Sequence, residues 1–234
     1  MKNRFLLLIL FFFILSAKSQ ETRTKFGLQY KPIVPAAYFN SAKIYVQSDN
    51  YKFKLHPKYS SSFGMIIRHR INKTFSLESG LNYIERNFNL SISNSNINLS
   101  DFTVFGMRSY ELPLQILTYV QIKEYWYLNV SFGISYNVLA SDIFSDGETK
   151  YYFQNTIRKN GGYEALLANI GIEYRTENKG DYYLGTSLHR PWQAIGKIYP
   201  EFNNETNIFN ESQEFSLDMI GNFLTIDFRY FFAE

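Results

Sequence analysis

The 234-residue sequence has no cysteine, only six prolines, two tryptophans and three histidines. Without cysteine there is neither a disulfide framework nor the lipid-anchored type of export signal, so burial or a closed sheet has to hold the fold. After residue 15 no run of eighteen apolar residues occurs, which excludes helical membrane spans. His56, His69 and His189 are scattered, with no metal-ligand spacing. A phosphate-cradling glycine loop and a paired-carboxylate signature are also missing, so no cofactor and no enzyme class is indicated.

The first stretch of note is an export signal. Lys2 and Arg4 precede the apolar run 5–15, and Ala17-Lys18-Ser19 offers small residues at cleavage positions. Cleavage is expected after Ser19, giving a signal over 1–19 and one domain over 20–234. The whole chain carries 24 basic and 21 acidic residues. The signal holds Lys2, Arg4 and Lys18 and no acid, so the mature chain has 24 − 3 = 21 basic residues against 21 acidic ones. The basic pI is therefore no argument for nucleic acid.

Aromatics are abundant, at 18%, and they fall in period-two alternation, the mark of strands with one apolar and one polar side. Eight such strands are expected, over 25–32, 62–71, 74–86, 107–118, 125–139, 162–175, 182–190 and 223–232. The clearest is 125–139, where Trp126, Leu128, Val130, Phe132, Ile134, Tyr136 and Val138 alternate with mostly small or polar residues. Between strands lie short turns near 72–73, 121–124 and 177–181, and long polar segments over 36–58, 87–106, 140–161 and 191–214. Such alternation of long and short connections fits an eight-stranded antiparallel up-and-down transmembrane β-barrel, ten strands being possible, with long extracellular loops and short periplasmic turns. Trp126 and Tyr136 share a face ten residues apart, about 25 Å along a membrane normal, the spacing of two aromatic girdles.

In the last strand Leu224, Ile226, Phe228, Tyr230 and Phe232 alternate with Thr225, Asp227 and Arg229. This aromatic-ended strand resembles the closing strand of bacterial outer-membrane barrels, which implies that Phe228, Tyr230 and Phe232 are read by the barrel-insertion machinery. Residues 27–32, Ser79-Gly80-Leu81-Asn82-Tyr83 and Tyr110-Glu111-Leu112-Pro113-Leu114 extend the likeness. Together they resemble the Bacteroidetes outer-membrane barrel family that includes PorT-like proteins. That resemblance implies an outer-membrane location, eight to ten strands and no particular activity.

The polar faces carry Arg68, Arg70, Glu78, Arg86, Glu111, Glu173, Arg175, Asp227 and Arg229. In so narrow a barrel these are expected to pair in the lumen; a selectivity ring is the other reading. Ser187, His189 and Glu173 can be drawn as a nucleophile, base and orienter, against the alternative of lumen polar residues. Lys43, Lys52, Lys54 and Lys58 would attract anionic lipopolysaccharide or serve only as a solvated loop; the acidic Glu201, Glu205, Glu211 and Glu214 would hold cations weakly or likewise be solvated.

The expected role is structural, surface-binding or minor transport. Alternatives are a PorT-like secretion or gliding accessory, a lipid-modifying enzyme, and a soluble barrel with its apolar face turned inward. Expected partners are outer-membrane lipid, the insertion machinery and an extracellular or secretion-system protein. N-terminal sequencing of the exported protein should begin at Gln20; a chain starting at Met1 would remove the signal assignment.

Overall fold

The computed structural model describes residues 24–35, 44–48, 51–96, 98–148, 152–202 and 216–233, and no helix occurs among them. The export signal, Lys43, Glu205, Glu211 and Glu214 lie outside the described residues. Eight strands close a ring: β1 (Thr24–Val34), β4 (Ser60–Arg70), β5 (Phe75–Asn94), β6 (Leu99–Lys123), β7 (Trp126–Leu139), β10 (Gly162–Arg175), β11 (Asp181–Pro191) and β14 (Phe223–Phe231). Every pairing is antiparallel, and β1 joins β14 to seal the circle.

The register fixes the barrel's shape. Stepping strand to strand from Gln121 leads through Tyr127, Glu173, Tyr183, Arg229, Gln29, Gly64 and Asn82 back to β6 at Glu111. The return is displaced by 121 − 111 = 10 residues, a shear of ten. With eight strands and ordinary strand spacings this sets a tilt of about 41°.

At one end the turns are tight. Asn72 Oδ1 accepts from the backbone N–H groups of Thr74 (2.8 Å) and Phe75 (2.7 Å), which locks the β4–β5 turn. Gly180, between β10 and β11, has φ of 81°, and a Cβ there would lie 2.2 Å from the Phe231 carbonyl oxygen, so glycine alone fits. Gly171 and Gly185 serve differently: an added Cβ on either would meet the Tyr183 hydroxyl, at 2.3 and 2.2 Å. The Tyr183 ring lies flat along the inner wall in the space the two glycines leave.

The opposite end differs from expectation. The polar segments 36–58, 87–106, 140–161 and 191–214 are not plain loops. The first holds a hairpin, β2 (Ile44–Ser48) and β3 (Tyr51–Pro57). In the second, β5 and β6 run on as paired strands to a turn where Asn98 has φ of 49°. The third and fourth contribute β8 (Ile143–Asp146), β9 (Tyr152–Arg158) and β12 (Gly196–Phe202), which with β13 (Leu217–Met219) make a second, four-stranded sheet. Asparagine and serine made 87–94 look like loop, yet Phe88, Leu90 and Ile92 alternate with Asn and Ser and all face inward, buried. Above the barrel β3 replaces β4 as the partner of β5, from Pro57↔Phe88 upward.

These extensions surround an apolar core. Phe53, Leu55, Phe88, Leu90, Ile92, Phe105, Ile198 and Leu217 are among its buried members. Outside it, Arg158 clamps the loop after β7: its backbone N–H and Nε both donate to Asp142 Oδ1 at 2.9 Å, which holds that carboxyl below its usual range. Truncating the fully buried Leu90 to alanine should lower unfolding stability by about 2–5 kcal/mol in urea titrations of vesicle-inserted protein. A loss within experimental error would show that the cap is not packed.

Candidate functional site: the charged lumen

The two faces of each barrel strand differ completely. Phe132 is 62% exposed on the outer wall, and Trp126, Ile134 and Phe228 are exposed beside it, while Glu173 and Asp227 are fully buried inside. A soluble barrel with its apolar side inward is thereby overturned. The outer wall carries two rows of rings. Trp126, Tyr174, Tyr182 and Tyr230 lie in register across β7, β10, β11 and β14, and Trp126–Tyr174 and Tyr182–Tyr230 are in ring contact at 4.9 and 5.2 Å. Tyr30, Phe63, Tyr83 and Tyr110 do the same across β1, β4, β5 and β6, with ring contacts of 5.5 and 5.8 Å. Tyr136 is exposed on the outer wall as well. Phe228 and Phe232 are exposed on it, and Tyr230 packs against Phe232 at 5.5 Å.

The interior is built around Glu78. Its two oxygens accept from Arg68 Nε (2.6 Å) and Arg229 Nη1 (2.9 Å). Arg68 also donates through Nη1 to Glu173 (2.5 Å), which accepts in addition from Arg175 Nε (2.6 Å) and Asn129 Nδ2 (2.8 Å). Arg229 Nη2 donates to Asp227 (2.7 Å), whose oxygens also receive the hydroxyls of Ser187 and Thr225, both at 2.5 Å. Nearer the cap, Gln29 Nε2 donates to Asn82 Oδ1 (2.6 Å), Asn82 Nδ2 donates to Glu111 (2.8 Å), and His189 Nδ1 lies 3.0 Å from Glu111. Aromatic faces cover the cations: Arg68 stands 3.9 Å over Phe231 and Arg175 3.9 Å over Tyr127. All eight barrel strands contribute a member. Ions removed from water in this way need partners on every side, since an unpaired one is costly.

Of the nine charged residues expected to pair in the lumen, Arg68, Glu78, Glu173, Arg175, Asp227 and Arg229 meet in ion pairs. Arg86 does not: among the described residues no carboxylate pairs with it. Glu111 takes a histidine rather than an arginine. Ser187, His189 and Glu173 are not assembled into a triad, because each is engaged elsewhere: Ser187 by Asp227, His189 by Glu111 and Glu173 by two arginines. Gln29, Lys31, Asn169 and Tyr183 complete the network, and the sequence reading missed them. Their strand parity was the available signal, and it put each on the polar side. No group of histidine and carboxylate side chains that would hold a metal occurs among the described residues.

Cavities at the two ends of the lumen, one beside Arg68 and Arg175 and one beside Arg86, measure about 10 Å³ each, room for a single water. The larger concavity, about 830 Å³, is an apolar depression on the outer wall lined by Leu28, Phe63, Ile172 and Phe228, away from the ionic chemistry.

Replacing Glu78 with glutamine leaves two buried guanidinium groups short of a counterion. Urea titration in vesicles should show a loss of about 3–5 kcal/mol; a loss below about 1 kcal/mol would mean the pairs are not coupled to folding.

No known family model matches the chain, and no curated protein does. Among solved structures it is similar to the outer membrane protein OprG from Pseudomonas aeruginosa, at 10% identity and a TM-score of 0.51, over 91% of this chain and 98% of that one. A second match is the outer membrane protease OmpT from Escherichia coli, at 9% identity and a TM-score of 0.33, over 92% and 96% of the two chains; at that score it carries no argument. The likeness to OprG is one of fold, and the fold is an eight-stranded, all-antiparallel barrel of the outer-membrane type.

Proposed function

We propose that this protein is an integral outer-membrane barrel that acts as a sealed, rigid pedestal for an extracellular β-cap, with a structural or surface-binding role rather than a transport one. The observation that carries this reading is the filled interior: an ionic network touching all eight strands below, and an apolar core above. A path for water or ions would have to break both. The apolar outer wall between two aromatic rows supports the membrane location, because a strand barrel satisfies its own backbone in hydrocarbon. Trp126, in the first row, and Tyr136, on the same outer wall, suit the two girdles, and lipid is the partner of that surface. Phe228, Tyr230 and Phe232, set on the closing strand, suit a signal for the insertion machinery. Export through a cleaved signal over 1–19 belongs to the same reading.

The purified chain should need detergent and migrate differently on gels before and after boiling; solubility in plain buffer would defeat the membrane reading. In planar bilayers it should give no steady single-channel steps, and reproducible conductance would overturn the sealed lumen.

A further inference from the structure

Arg86 is the exception in the lumen. It is 5% exposed and faces inward between Ile84 and Phe88, with apolar neighbours on its own strand face. Its Nη2 makes one long bond to the Ile220 carbonyl oxygen (3.4 Å), its Cζ lies 5.2 and 5.3 Å from the Phe88 and Phe223 ring centres, and its Nη1 has no partner. The other buried cations are answered: Arg68 and Arg229 by Glu78, and Lys31 by Asp227 at 3.8 Å. A buried guanidinium without a counterion is unfavourable unless an anion arrives from outside.

The fold supplies an approach. β4 begins at Ser60, opposite Ile33, where its pairing with β1 ends, and Lys58 and Tyr59 just before it bulge against Asn87 of β5, with Lys58 N–H donating to the Asn87 carbonyl oxygen (2.7 Å). The resulting notch lies between the top of β1 and the β3–β4 corner, walled by Val34, Pro57, Phe88 and Phe223, with Arg86 and the exposed Lys58 as its cations. Its volume, about 10 Å³, admits one oxygen atom rather than a whole ligand. Its height is marked by the same strands. Tyr83 and Tyr110 end the apolar wall, and the next outward residues in that direction, Glu85 and Arg108, form an ion pair at 3.7 Å. Arg86 stands beside Glu85, at the level where hydrocarbon gives way to charged head groups.

We propose that Arg86 and Lys58 form a binding site for the phosphate of an outer-leaflet lipid, one phosphate oxygen entering the notch to accept from the Arg86 guanidinium while the rest stays beside Lys58. This rests on the membrane reading above. The apolar walls at the notch would take the start of the acyl region, and the buried cation would discriminate for the anion.

The test is native mass spectrometry of the full chain released from detergent, with phosphatidic acid, diacylglycerol of the same chains, or inorganic phosphate. Phosphatidic acid should be retained about tenfold more tightly than diacylglycerol, the scale of one charge-assisted hydrogen bond. Both Arg86→Gln and Lys58→Gln should erase most of that preference, and Lys73→Gln, in a turn at the other end, should not. Lys58 is exposed, so its variant keeps the test alive if Arg86→Gln misfolds, which loss of heat-modifiable migration would reveal. Equal retention of the two lipids, indifference to both substitutions, or capture of inorganic phosphate alone would overturn the proposal. A wild-type chain soluble without detergent would instead defeat the membrane reading itself.

Discussion

One carboxylate ties the barrel together. Glu78 binds Arg68 on the neighbouring strand and Arg229 on the last strand, 151 residues away in sequence. Through those two arginines it reaches Glu173 and Asp227, and so the strands on the far wall. A ring of eight strands has no core of the ordinary kind, because its apolar side chains point out. What holds opposite walls at a fixed distance is the set of ion pairs across the interior, where low polarity makes each interaction strong and each missing partner costly. The shear of ten sets the tilt, and the tilt sets a bore that such side chains just span. Tyr183, lying in the space left by Gly171 and Gly185, fills the wall where a longer inward side chain would clash.

The same ring changes character along its axis. On β5 the inward residues run Glu78, Asn82, Ile84, Arg86, Phe88, Leu90 and Ile92, from ionic to apolar within a few turns of the pleat. Below the change the interior is a salt-bridged lattice; above it the strands run on around an apolar core, with a second sheet packed against them. The protein is thus two packing regimes on continuous strands. The junction is where a charge was left without its partner, and that is the place where the molecule is chemically unfinished on its own.

Alternation of side chains by itself determined a great deal. It located all eight ring strands, 162–175 to the residue, and it set which side of each was polar, because a period of two survives any arrangement of the strands in space. It also placed Arg68, Glu78, Glu173, Asp227 and Arg229 on one shared interior. It failed at the long connections, where composition was read ahead of pattern: the small polar residues around Phe88, Leu90 and Ile92 concealed strands that have an apolar inward face of their own.

Only the tertiary structure decided the rest. Which arginine meets which carboxylate depends on the register between strands and on the shear, and neither is written in any single segment. The separation of Ser187, His189 and Glu173 into different partnerships, the pairing of Glu111 with His189, and the isolation of Arg86 all follow from distances across the bore. The capping sheet joins segments from two connections, each too short to bury an apolar face alone, so its strands exist only where the barrel holds them side by side.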